Sequence, residues 1–235
     1  MTRLVDHPTV VPRSSPSGSL RRVPQPPRRL WRAIEFVALF FGAVGVYALL
    51  GSPGSPIPAL LLLGGLAFWY LRRRPDVDRA DLWRWSAVRG ALPSILVTWA
   101  IAAAAGIAVV AIWMPDRLFD LPREAPLLWL AIAVFYPLLS VYPQEVLFRA
   151  FLLHRYAPVF GTGAAAAAAS AAAFGFAHVI FGTAWSVVLT LVGGWLFARR
   201  YQKTRSLAAA SVEHALYGVL AFTIGLGDLF YHGAR

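Results

Sequence analysis

Cysteine is absent from this chain, which excludes disulfides and thiol chemistry and leaves the compartment open. Charge is scarce too: charged residues are 14% of the 235, and only 11 residues are acidic. With 58% of residues hydrophobic, the apolar surface exceeds what one soluble core can bury, so the composition defines an integral membrane protein. A cleavable secretory signal is not expected, because the first apolar run begins only near Trp31 and is too long for one. There is also no internal repeat, and no phosphate-binding context surrounds Gly193 and Gly194.

What is present is a series of apolar segments at about 31–52, 57–71, 92–114, 126–148, 164–181, 183–198 and 206–226, each near the length that crosses about 30 Å of hydrocarbon. The expected fold is therefore all-α, a polytopic membrane helix bundle of about seven transmembrane helices. The range is six to eight, because the short sixth segment could join the fifth around Gly182. Residues 1–30 mix proline, serine and arginine and are expected to form a disordered basic cytoplasmic tail. Residues 31–125 follow as N-terminal transmembrane helices with an interfacial loop, and residues 126–230 as the bundle that carries the polar residues. In the loop 75–91, Trp83 and Trp85 alternate with Arg79, Arg84 and Arg89, which fits either an in-plane helix at the headgroup level or an ordinary loop whose tryptophans belong to the aromatic belt. Residues 164–173 are nine alanines and one serine and, like Gly193 and Gly194, read as a close-packing face between helices.

A formal charge of +11 in a soluble protein would suggest nucleic acid. Here the basic residues sit between apolar spans, so the bilayer is the expected partner and nucleic acid is not. With the N-terminus inside, only Arg117, Arg123 and Arg235 fall on the outer side, and the outer loop 115–125 carries Asp116, Asp120 and Glu124. The positive-inside rule then predicts a multi-pass protein of the cell inner membrane, N-terminus cytoplasmic and C-terminus outside. Asp228 and His232 read as solvated surface of the outer tail.

Within or at the edges of helices two to seven, the ionisable residues are Glu145, Arg149, His154, His178, Glu213 and His214. An isolated charge at the bilayer centre costs at least about 2.5–3.5 kcal/mol, so such residues point to function. Glu145 and Arg149 lie four apart with the acid N-terminal, the favourable order for an ion pair on one helix face. Placed with His178 and His214 from separate helices, the carboxylate has what water activation requires: a base, and imidazoles to orient, shuttle protons or donate to an oxyanion. The same three groups, Glu145, His178 and His214, could instead bind a divalent metal such as zinc with a position left for water. A proton relay in a transporter is a third use of such groups, although no inverted half supports it.

Three short motifs carry a resemblance: Gln144-Glu145-Val146-Leu147-Phe148-Arg149, Phe174 to His178, and His214 to Gly218. In that order and on separate membrane helices, they resemble the CPBP intramembrane proteases, which include the CAAX prenyl endopeptidases of the Rce1 type and the bacterial Abi proteins. The resemblance covers about residues 126–230. It implies an intramembrane endopeptidase that cleaves near the terminus of a membrane-associated peptide or protein, with Glu145, Arg149, His178 and His214 catalytic and Gln144, Phe174, Glu213 and Gly218 supporting. Two positions depart from the family pattern. Gln144 stands where the family has the first acid, its general base, and Gly218 where it has an asparagine thought to hold the oxyanion. Either Glu145 has become the base, with Glu213 as outer partner or replacement acid, or the chain is a non-catalytic pseudoprotease that binds or escorts a membrane partner. If the fourth helix ends near Arg149, Glu145 lies about 6 Å from the cytoplasmic face and His178 about 22 Å from it. Kinks at Pro137 and Pro143, or a segment 157–173 partly outside the bilayer core, would be needed to bring them together.

Overall fold

The computed structural model describes residues 28–230, so the tail through residue 27, His232 and Arg235 lie outside the described residues. Among the described residues there is no strand, and the longer helices number seven. These are α1 (Arg28–Leu49), α2 (Ile57–Arg72), α3 (Trp85–Trp113), α4 (Pro126–Arg155), α5 (Ala164–Ala177), α6 (Ala184–Thr204) and α7 (Leu207–Thr223). Four of them, α1, α3, α4 and α5 with its extension to Phe181, are long and apolar enough to cross a membrane, while α2 and α7 are shorter apolar helices. The molecule is the expected all-α membrane helix bundle.

Three boundaries differ from the sequence expectation, each at a charged residue that the fold neutralises. Residues 85–91 are the first turns of α3, not part of an in-plane helix, and before them lies only a single 3-10 turn, Arg79–Leu82. Asp78 caps that turn by accepting from the Ala80 amide, and the buried Asp81 pairs with Arg84 at 2.7 Å and Arg205 at 2.6 Å. α6 runs six residues beyond its expected end at 198, through Arg199, Arg200 and Lys203. There Arg200 is matched by Glu213 on α7. α4 continues through Arg149 to Arg155, whose guanidinium grips Glu35 of α1 with contacts of 3.0 and 2.8 Å while the Tyr156 hydroxyl donates to the same carboxylate. Charge-assisted bonds of this kind let an apolar helix carry an arginine past the point where hydropathy alone would end it.

α4 is irregular where it matters. It widens into π-helical turns at Pro137–Val141 and Val146–Phe151, on either side of the α-helical turn Tyr142–Glu145. Pro137 and Pro143 have no amide hydrogen, so the regular ladder cannot run through them, and π turns are a common way to rejoin it near functional sites. The alanine run of α5 packs on α6: Ala166, Ala167, Ala171 and Ala173 are buried, and a Cβ on Gly194 would come within 3.0 Å of the Ala171 Cα. An aromatic core of Phe36, Phe40, Phe148, Phe174 and Phe197 fills the space between α1, α4, α5 and α6.

Candidate active site

Inside the bundle, α4 supplies Glu145 and Arg149, and both side chains are fully buried. Their ion pair spans one helical turn, with Arg149 Nε 3.2 Å from Glu145 Oε2. The guanidinium also donates to Ser170 Oγ on α5 at 3.1 Å and lies over the rings of Phe174 and Phe197, 4.6 and 5.6 Å from their centroids. Ser170 in turn donates to the Phe148 carbonyl. Cation–π contact and hydrogen bonding together replace water around a charge that apolar surroundings alone would not tolerate.

His214 of α7 meets the other carboxylate oxygen, with Nδ1 2.9 Å from Glu145 Oε1. A carboxylate can only accept, so the Nδ1 position carries the proton and donates it. Nε2 of the neutral ring is then a lone pair, and the hydroxyl of Tyr136 on α4 stands 3.3 Å from it. The imidazole plane is fixed by Phe197 stacked at 4.6 Å and 13°, and by the edge of Phe174 at 5.4 Å. The result is a chain running from Arg149 through Glu145 and His214 to Tyr136, in which each polar group has one orientation.

The other candidates are placed differently. His178 ends α5, where its Nδ1 lies 2.8 Å from the Phe174 carbonyl and its ring packs on Phe174 at 4.7 Å. It shares the Phe174 ring with His214 rather than meeting Glu145. Gln144 donates through Nε2 to Ser140 Oγ at 2.7 Å, one turn up the same helix. Glu213 does not join His214, because adjacent helical residues diverge by about 100°. It faces Arg200 instead, accepting two bonds at 3.0 and 2.9 Å, and Arg200 also reaches Ser94 on α3. Its place is a clamp between α6, α7 and α3, not that of a replacement acid. Gly218 lies against Tyr136: a Cβ there would run into the tyrosine ring and hydroxyl.

The metal alternative finds no support in this arrangement. Among the described residues no group of three histidine, aspartate or glutamate side chains is placed to hold an ion. Glu145 is committed to Arg149 and His214, and His178 stands apart across Phe174. The donors do not fit a metal site.

The depth assumed from sequence is corrected as well. Because α4 extends to Arg155, Glu145 lies ten residues, about 15 Å, from that end rather than one turn from it. His214 is seven residues, about 10 Å, from the start of α7, and the two groups meet without a break in either helix.

A membrane helix bundle with a buried arginine–glutamate–histidine chain is the class that fold and site define. Residues 123–220, the stretch that builds every part of this chain, match the family model described as type II CAAX prenyl endopeptidase Rce1-like. This Rce1-like region spans α4 to α7 up to residue 220. Against curated proteins and against solved structures the chain has no match.

Proposed function

We propose that this protein is an intramembrane endopeptidase of the CPBP type, with Gln144 in place of the first acid of the family's pair, acting on a membrane-associated protein or peptide near its terminus. The observation that carries this reading is the 2.9 Å bond between His214 Nδ1 and Glu145 Oε1, buried among helices of an Rce1-like region. Glu145 sets the tautomer of His214 and stabilises the imidazolium that forms when Nε2 takes a proton, the role a buried carboxylate plays beside histidine in other hydrolytic sites. Arg149 holds the Glu145 carboxyl in place, and the dyad Glu145–His214 is the base that activates water. Gln144 and His178 flank the dyad on α4 and α5, where they orient water or the peptide. The environment is the cell inner membrane with the N-terminus cytoplasmic, and the substrate class follows the words CAAX prenyl endopeptidase in the name of the matching family.

The test is direct. The purified chain in liposomes is given a quenched fluorescent peptide whose C-terminal region carries a farnesylated cysteine, and cleavage is compared with that of Glu145→Gln and His214→Gln. Loss of cleavage by at least about 10²-fold in both is expected for removal of a general base, with each variant still folded by thermal melting in detergent. Wild-type rates in both variants would sink the assignment. Gln144 favours one second reading, a pseudoprotease that only binds a membrane partner. In that case Glu145→Gln would keep partner localisation intact while no peptide is cleaved by any form.

A further inference from the structure

We infer that Tyr136 is a catalytic residue, whose hydroxyl holds the oxyanion formed when water attacks the substrate carbonyl. This deepens the hydrolase reading and rests on it. Of the dyad's atoms, Oε1 of Glu145 and Nδ1 of His214 are committed to one another and Oε2 faces Arg149. Nε2 is the atom left to take a proton, and the group standing at it is the Tyr136 hydroxyl, 3.3 Å away. A donor at hydrogen-bond range from the base nitrogen is also within reach of a carbonyl whose attacking water contacts that nitrogen.

The surroundings are shaped to keep the hydroxyl there. Gly218 lies one turn beyond His214 on α7, and any side chain on it would strike the Tyr136 ring and hydroxyl. The missing side chain makes the space that the ring fills, and Phe222 closes it from the next turn with an edge contact of 5.7 Å. Glu145, Arg149 and His214 are buried, whereas Tyr136 is only partly so. It stands at the margin of the chain of groups, where a peptide would meet it first. On the same face of α4, Ser140 and Gln144 follow at spacings of four, bonded to one another.

The chemistry balances. In the resting site the hydroxyl donates to Nε2. When the peptide carbonyl arrives, the hydroxyl turns to its oxygen and water takes the position at Nε2. The water oxygen forms a bond to the carbonyl carbon, its proton passes to Nε2, and the carbonyl π pair becomes an oxyanion held by the Tyr136 O–H. Collapse re-forms the carbonyl and breaks the C–N bond. The electron pair leaves with the amine nitrogen, which takes the proton back from Nε2. Tyr136 donates a hydrogen bond throughout and loses no proton.

Tyr136→Phe tests this, because it keeps the ring against Gly218 and Phe222 and removes only the hydroxyl. With the full chain in liposomes and the farnesylated peptide, kcat is expected to fall by about 10²–10³-fold, the usual effect of losing one oxyanion donor, with KM within a few-fold and melting unchanged. Wild-type kcat in Tyr136→Phe, beside inactive Glu145→Gln, overturns the role of Tyr136 and leaves the hydrolase reading standing. A fall in melting temperature that accounts for the lost activity, with KM and kcat moving together, also overturns it, since that is packing. No cleavage by the wild-type chain overturns both readings at once.

Discussion

Gly218 and Tyr136 define the site at the scale of single residues, because each explains the other. The collision of a Cβ at 218 is with the far end of the tyrosine, so Gly218→Ala is relieved by swinging the ring rather than by moving a helix. Overpacking costs about 1–3 kcal/mol, against which alanine recovers up to about 1 kcal/mol of helix propensity over glycine. The net loss of stability is therefore small, but the hydroxyl leaves Nε2. Gly218→Ala is expected to lower kcat about as much as Tyr136→Phe and to add little to it in the double variant, as coupled neighbours do. Independent, multiplying losses would show that Gly218 acts by another route. Glu145, Arg149, His178 and His214 were conspicuous in the sequence because ionisable groups stand out in apolar spans. Tyr136 was not, since a tyrosine in such a span looks like any membrane aromatic. Its spacing from Ser140 and Gln144, four and eight residues on, was the signal available. The direction of Glu213 was invisible as well, because its partner Arg200 lies in a segment that hydropathy assigns to a loop.

Individual helices show why their number was legible and their ends were not. Apolar length identifies a span whatever its partners, but a hydropathy window stops at the first arginine, whereas the folded helix continues when that arginine is paired. α4 past Arg149 and α6 through Arg200 are two instances. Positioning within the bundle depends instead on small residues. Gly64 of α2 faces the backbone of Pro143, where a Cβ would lie 2.9 Å from the proline Cβ and 3.2 Å from its Cα. Backbone cannot swing away as the Tyr136 ring can. Gly64→Leu would force α2 off α4 immediately before Gln144 and Glu145, at a cost of about 1–3 kcal/mol or more. The expected readouts are a lower melting temperature in detergent and reduced peptide cleavage. Gly65, one residue on, meets nothing within 4 Å, so Gly65→Leu serves as the control and should melt like wild type.

Across the whole molecule, the end-to-end contacts sort into two sets that agree with seven alternating crossings. At one face Glu35 near the start of α1 bonds Arg155 at the end of α4, His154 lies 3.6 Å from Asp76 after α2, and Asp81 before α3 meets Arg205 between α6 and α7. At the other, Ser52 after α1 reaches the Ile180 carbonyl after α5, and Arg117 after α3 pairs with Asp228 after α7 at 3.1 Å. Each set joins only ends that alternation places on one side, so the parity of the bundle is built into its polar contacts. Which face is inside is a matter of charge. The first holds Arg72, Arg73, Arg74, Lys203 and Arg205, and on the positive-inside rule we propose that it is the cytoplasmic face. Because the chain has no cysteine, a single substitution supplies its only thiol. Lys203→Cys and Glu124→Cys, both at exposed positions, are expected to behave oppositely toward a membrane-impermeant maleimide. Glu124→Cys should label in intact spheroplasts, and Lys203→Cys only after lysis. The reverse pattern would turn the protein over in the membrane while keeping its parity. Labelling of both in intact spheroplasts would break the parity itself and require that one helix between α4 and α6 does not cross.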